Sequence, residues 1–337
     1  MTTSEIEGML LEPSDADVAA ASTLQGDLLV LGAGGKMGPS LVRRARRAID
    51  RAGLKHKIIA VVRQDRDGLG QLLRSEGIDL LEADLLKAES VQQLPEARNV
   101  VFMAGRKFGS SADQALTWAT NAWASGVAAN RFRNSRFVVF STGNVYPLVP
   151  AKSGGADERT QPAPVGEYAQ SALARERIFE YFSNSYGIPV LIYRLNYAID
   201  LRYGVLLDIG EKVARGEPID LAMGFANVIW QGDANSYCLR AFSLSDAPAR
   251  ILNVTGLDTI SVRSVAEKLG TLLGKTPVFT GQESETALLS NAKLASQLLG
   301  PPAVSVERMV EMTAYWIKTG GETLGKPTKF ERRDGTF

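Results

Sequence analysis

Residues 28–38 read LLVLGAGGKMG. The apolar run from Leu28 to Leu31 stops at a glycine-rich turn, in which Gly32, Gly35 and Gly38 fall three apart. Behind Pro39 the pattern turns helical. Leu41, Val42, Ala45, Ala48 and Ile49 share one side, with Arg43, Arg44, Arg46, Arg47 and Arg51 largely on the other. Strand, tight turn and helix in this order open a dinucleotide-binding unit. The glycines let the backbone approach a pyrophosphate, and the helix N-terminus adds N–H donors and a positive dipole end. A glycine turn can also serve plain chain reversal, but its place between strand and helix favours the ligand. Gly32, Gly35, Lys36, Met37 and Gly38 are therefore candidate cofactor contacts, and the basic helix face reads as solvated.

Outward from this unit, apolar runs alternate with helical patterns. Strands are expected at 57–62 (KIIAVV), 79–81, 99–103, 136–140 and 189–193, with helices at 112–131 and 167–186. Strands alternating with helices mean a parallel, doubly wound α/β sheet of the Rossmann type. Residues 1–27, which precede the first strand, read as a short helix or arm packed on the domain. No period repeats and no segment is of low complexity.

Composition narrows the function classes. The 337 residues can hold one large or two modest domains, and a hydrophobic share of 45% is ordinary for a globular protein. A net charge of +1 gives no general pull toward nucleic acid or an anionic membrane. The single cysteine, Cys238, excludes an intrachain disulfide and a multi-cysteine metal site, and the single histidine, His56, reads as a strand-edge residue. No apolar run reaches spanning length and no basic-then-apolar leader opens the chain. A cytoplasmic protein without a metal is the expectation.

The motifs downstream resemble the extended short-chain dehydrogenase/reductases, in their NAD(P)-dependent epimerase/dehydratase branch, over about residues 26–317. GAGGKMG is similar to the family's GxxGxxG. FSTGNVYP, residues 140–147, resembles the motif after the fifth strand, and the resemblance makes Thr142 catalytic, with Gly143 and Asn144 beside the substrate. EYAQSALARE, residues 167–176, stands in the place of the YxxxK helix, which makes Tyr168 the catalytic tyrosine. YRLNYAID, residues 193–200, resembles the crossing into a substrate lobe, with Asn196 facing the substrate. VIWQGD, residues 228–233, resembles the strand that returns to the sheet, ending at Asp233. Asn121 aligns roughly with a residue that supports the active site. The stretches 252–270 and 290–309 resemble the C-terminal lobe.

The resemblance implies three parts. These are an arm, 1–26; a NAD(P)-binding domain, 27–198 with 226–254; and a smaller substrate lobe, 199–225 with 255–337. It also implies a homodimer through the long helix and the tyrosine helix, which offer Trp118, Trp123, Ile178, Phe179 and Phe182.

Two positions depart from the family. Ala172 replaces the lysine four residues after Tyr168, and Ala226 replaces an arginine that grips a nucleotide diphosphate in many members. A phenol ordinarily titrates near ~10, so a base at Tyr168 needs another cation nearby. Arg106 and Lys107, after the fourth strand, are the preferred sources. Arg175 shares a helix face with Tyr168 but lies nearly three positions past the usual lysine.

For cofactor choice, Arg63 after the second strand and Lys36 lean toward NADP, while Asp65 and Asp67 keep NAD open. Asp84 would lie near the adenine, and Ala104, Gly105, Arg106 and Lys107 would border the cofactor cleft. The function implied is hydride transfer on a carbohydrate derivative: a sugar, a sugar acid or a nucleotide sugar. The alternative is a cofactor-binding regulatory or assembly protein in which catalysis is impaired.

Overall fold

The structure is a computed structural model that describes residues 3–337. Its centre is a seven-stranded parallel sheet. The strands are β1 (Leu28–Leu31), β2 (Ile58–Val62), β3 (Asp79–Glu82), β4 (Asn99–Phe102), β5 (Arg136–Thr142), β6 (Val190–Leu195) and β7 (Arg250–Val254). Their spatial order is β3-β2-β1-β4-β5-β6-β7, so the order reverses between β1 and β4. Such a switch point leaves a crevice at the carboxyl ends of the strands, where α/β sheets bind ligands.

The strands read as unbroken apolar runs because both faces are covered. Leu28, Val30, Ile58, Ala60, Val101 and Leu191 pack on one face with Leu41, Val42 and Ile49 of the helix after the glycine turn. Leu29, Leu31, Ile59, Val61, Phe102 and Ile192 pack on the other with Ala124, Ala128 and Phe179. A separate apolar cluster joins the helices Val205–Arg215, Val262–Leu273 and Val306–Lys318 through residues such as Leu206, Leu269 and Met312. Ala295 and Leu299 of the late helix Lys293–Leu299 instead join the first face of the sheet.

The N-terminal arm is two helices, α1 (Thr3–Leu11) and α2 (Asp15–Ser22). Ser14 caps α2 in a reciprocal box with Asp17. Ile6, Leu10 and Leu11 enter the separate cluster, while Ala21 enters the sheet's. The arm also covers the arginine face of α3 (Gly38–Arg51), which is therefore not simply solvated. Arg44 is buried and forks onto Asp17 Oδ2 at 2.7 and 2.9 Å, Arg43 pairs with Glu76 at 2.6 Å, and Arg51 donates to the Pro13 carbonyl at 2.8 Å.

One expected strand differs. Of VIWQGD, only Ile229–Trp230 is extended, and it pairs with Ala198–Ile199 outside the main sheet. Asp233 sits in the first turn of the helix Gln231–Arg240 and accepts the Val304 N–H at 3.0 Å. On this helix Gln231 and Asn235, one turn apart, both donate to Ser40 Oγ on α3, at 3.0 and 2.9 Å, and tie the two helices together. The strand that re-enters the sheet is β7. The expected long helix is also broken: Gln114–Trp118 passes through a π-helical turn, Ala119–Trp123, into Ala124–Arg131.

Asp17 is the buried counter-ion of Arg44, so Asp17→Ala should cost about 3–5 kcal/mol in denaturant unfolding. Glu12→Ala, at an exposed pair with Arg47 and Arg51, should cost under about 1 kcal/mol. Equal losses in the two variants would mean that the buried pair does not hold the arm.

Candidate active site

The glycine turn is built by contact. A Cβ on Gly32, whose φ is +89°, would meet the Ala104 backbone at 2.6 Å, and one on Gly38 would meet the Ala33 carbonyl oxygen at 2.0 Å. Only glycine lets β1 run this close to the end of β4 and lets α3 start this close to the turn. At Gly35 a Cβ would meet only the Gly32 carbonyl oxygen, at 3.6 Å. The turn thus keeps an open backbone face at the start of α3, a shape that fits a pyrophosphate.

A cavity of about 300 Å³ lies beyond this turn, at the carboxyl ends of β1, β4, β5 and β6. Of the expected residues, it brings together Gly35, Lys36, Met37, Gly105, Lys107, Thr142, Asn144, Tyr168 and Asn196. It also takes in Arg175, and from the crossover after β6, Tyr197 and Tyr203. Tyr197 holds φ at +43°, a conformation uncommon for a side chain of its size, where the chain turns from the sheet toward the second cluster.

Thr142 is oriented by its neighbour. Its Oγ1 accepts the Asn144 backbone N–H at 3.2 Å and the Asn144 side-chain amide at 3.0 Å. With both acceptor positions used, its hydroxyl proton is left to donate. Tyr168 faces it from the first turn of the helix Gly166–Tyr186. Burial raises the Tyr168 phenol above its ordinary value, while the nearby Thr142 hydroxyl and the charge of Arg175 act against that rise.

Arg175 is the cation that the sequence reading placed second. It is 5% exposed, and it donates to the Phe140 carbonyl at 2.7 Å and to Asn121 O and Oδ1 at 3.2 and 3.0 Å. It comes within reach because Gly105 leaves room: a Cβ there would meet Arg175 Nη2 at 2.9 Å. Of the two preferred cations, Lys107 lines the cavity, with its Nζ 6.0 Å from the Tyr168 ring centroid. Arg106 turns its guanidinium back to the Gly109 carbonyl, at 3.4 Å.

Asn121 lies in the π-helical turn, buried and behind the cavity wall. Its Oδ1 accepts the Arg106 N–H at 2.7 Å, and its Nδ2 donates to the Arg106 carbonyl at 3.0 Å and to Ser171 Oγ at 2.9 Å. It is a positioning residue for Arg175 and for the loop after β4. Ala172 is 1% exposed and packs with Val145, Tyr146 and Ala156, facing an apolar cluster. Gly143 is buried against Asn196, where a Cβ would meet Asn196 Cγ at 3.0 Å. Asn196 Nδ2 is buried without a hydrogen-bond partner.

Around the end of β2, Arg63 is exposed, whereas Asp65 accepts the Gly70 N–H at 2.9 Å and pairs with Arg74. Asp84 caps its own turn, accepting the Leu86 N–H at 3.1 Å. Thr328, carried in by the last segment of the chain, also lines the cavity. No local signal in the sequence marks it, because only the fold brings it there. Among the described residues there is no cluster of metal-ligating side chains, and no helix is long and apolar enough to cross a membrane.

The profile of the NAD dependent epimerase/dehydratase family matches residues 28–199, just over half of the chain. The chain belongs to this family. No curated protein sequence matches it. Among solved structures it is similar to a UDP-glucose 4-epimerase of Thermotoga maritima, with 20% identity, 87% of this chain and 99% of that one covered, and a TM-score of 0.71. It is also similar to a dTDP-glucose 4,6-dehydratase of Bacillus anthracis (17%, 87% and 97%, 0.73) and a UDP-glucuronic acid 4-epimerase of Bacillus cereus (18%, 88% and 99%, 0.71), both solved with NAD. At these identities the likeness is one of fold. Members of this family use a nicotinamide cofactor, and the glycine turn described above has the shape to hold one.

Placing a lysine at Ala172, as the family pattern would have it, should harm this chain. Ala172→Lys forces a long cation into the cluster of Val145 and Tyr146 and should lower stability by about 1–3 kcal/mol, read from denaturation midpoints. A variant of unchanged stability and raised activity would show that this helix face opens to the cofactor after all.

Proposed function

We propose that this chain is a NAD(P)-dependent oxidoreductase of the epimerase/dehydratase kind, acting on a carbohydrate derivative. The observation that carries the reading is the Thr142–Tyr168 hydroxyl pair with Arg175 beside it, across the cavity from the glycine turn. The backbone of Gly35 to Gly38 would hold the pyrophosphate, and Gly105 and Lys107 would border the nicotinamide end. The nicotinamide, when bound, supplies a hydride acceptor and donor. Thr142 donates its hydroxyl proton to the substrate oxygen and fixes its position. Tyr168 takes the proton from that oxygen as the carbinol is oxidised and returns it on reduction. Arg175 favours the phenolate by its charge, the work that the absent lysine would do. Asn196 offers its unpartnered amide to the substrate.

Three finer assignments belong to this reading. Cofactor choice leans to NADP, because Arg63 is exposed at the end of β2 while Asp65 is engaged by Gly70 and Arg74. Residues 27–198 with 226–254 form the cofactor domain, and 199–225 with 255–337 form the substrate lobe. The separate apolar cluster supports this for the helices Val205–Arg215, Val262–Leu273 and Val306–Lys318, although Ala226, Val228 and Trp230 join that cluster while Ala295 and Leu299 join the sheet. A homodimer would use the exposed Trp118 and Trp123; Phe179 is spent on the sheet, which narrows the surface expected from the sequence.

The reading is tested with purified protein, by NADH and NADPH fluorescence titration and then turnover against a panel of sugars, sugar acids and nucleotide sugars. Tyr168→Phe should keep cofactor affinity and lose at least about 100-fold in rate. Full activity in that variant would overturn the assignment. The oxidative rate should climb with pH, because the base form of Tyr168 is the deprotonated one. Arg175→Met, which removes a nearby positive charge, should move that limb upward by about 1 unit or more. An unmoved limb would take the proton transfer away from Tyr168 or the charge role away from Arg175.

A further inference from the structure

Three cations line one cavity, and among the described residues none of them has a carboxylate partner. Lys36 Nζ donates to the Ala198 carbonyl at 2.7 Å and to the Tyr203 carbonyl at 3.5 Å, and lies 4.4 Å from the Tyr203 ring centroid. Lys107 Nζ donates to the Thr328 carbonyl at 3.1 Å. Arg175 is held by carbonyl and amide oxygens alone. No Asp or Glu lines the cavity. Asn196 adds a buried amide donor without a partner. A buried ammonium is tolerated poorly unless it is paired, so walls that carry three cations and no carboxylate suit an anionic ligand.

The neighbouring acids are engaged elsewhere. Lys36 feels Asp200, Arg202, Lys107 and Asp208, but Asp200 pairs with Arg202 at 2.6 Å. Asp208 accepts the Thr328 N–H at 2.8 Å and the Thr328 hydroxyl. Lys107 feels Asp208, Lys329 and Glu331, and Glu331 faces Lys212 at 3.7 Å. Burial accordingly pulls Lys36 down to about 7 and Lys107 down to about 8.

Placement separates these two lysines from the pyrophosphate cradle at the start of α3. Lys36 leaves the glycine turn, and its ammonium ends on the crossover after β6. The Lys107 ammonium ends on the last segment of the chain. That segment also packs beside the tyrosine: Phe337 stands edge-on to Tyr168 with centroids 5.6 Å apart, and Lys107 Nζ lies 4.4 Å from the Phe337 ring centroid. A cavity of about 300 Å³ fits a small sugar acid or sugar phosphate more closely than a whole nucleotide sugar.

We propose that the substrate is a small sugar acid or sugar phosphate whose own anionic group is held between Lys36 and Lys107, beside Tyr168. The proposal rests on the oxidoreductase reading above and adds the substrate class. The experiment is calorimetric titration of the NADH-saturated protein at pH 8, in two buffers of different ionisation enthalpy, with turnover measured on the same compounds. The probes are aldonates, uronates and sugar phosphates, their uncharged parent sugars, and UDP-glucuronate.

At least one small anion should bind tenfold or more tightly than its neutral parent and more tightly than UDP-glucuronate. Its binding should draw protons onto the protein, because an anion favours the charged lysines. Lys36→Met and Lys107→Met, checked for folding by melting, should each reduce the charge preference tenfold or more and diminish the proton uptake. Neutral sugars that bind and turn over as well as charged ones would overturn the proposal and leave the oxidoreductase reading standing. The same holds if UDP-glucuronate is preferred, or if the two variants weaken NADH while the charge preference survives. If no carbohydrate of any charge binds or reacts, both fall.

Discussion

Two adjacent buried charges on one helix, Arg175 and Glu176, fasten the site to the sheet. Glu176 accepts Arg194 Nε and Nη2 at 2.9 and 2.6 Å and the hydroxyl of Ser141 on β5. Arg194 extends the network to the Tyr146 hydroxyl at 2.7 Å, and Tyr146 donates to Asn253 on β7 at 2.8 Å. Removing one partner from such a pair leaves an uncompensated buried charge, a loss of about 3–5 kcal/mol. The helix is therefore fixed in both depth and rotation. Arg175, one residue earlier, turns to the other side and reaches the cavity. Tyr168, two turns back on the same side, is carried to Thr142.

This arrangement uses each residue type for what its chemistry allows. Arg175 can stay charged when buried without an acid, because its planar fork satisfies several donors on fixed carbonyl and amide oxygens. The ammonium groups of Lys36 and Lys107 find fewer partners, and burial lowers their pKa values. Arg175 thus keeps a fixed charge near the phenol, whereas the charge of the two lysines depends on what surrounds them. Asn121 connects the two sides of the site, holding Arg175 and the loop that carries Lys107. Asn121 sits buried in the π-helical turn between them.

Much of the fold was legible because the sheet is covered on both faces. Each strand then appears as a short apolar run, and the runs at 57–62, 99–103 and 136–140 match β2, β4 and β5 to within two residues at either end. VIWQGD misled for the same reason. Buried Val228, Ile229 and Trp230 look like a sheet strand, but residues 231–240 are a helix, tied to α3 by the bonds of Gln231 and Asn235 to Ser40. The arginine face of α3 misled because its counter-ions, Asp17 and Glu76, come from elements distant in sequence.

By itself the sequence determined the glycine turn and the order of strands and helices, while the pair Thr142 and Tyr168 came from the family resemblance. The first two depend on local pattern: a turn that only glycine can make, a short apolar run, a period of 3.6. Tertiary structure decided which cation stands beside the phenol, what Ala172 faces, that Thr328 lines the cavity and that Phe337 packs on Tyr168. Those outcomes depend on helix rotation and on which distant segments meet, and both are set by the pairing of buried charges across the sheet, which sequence spacing does not encode.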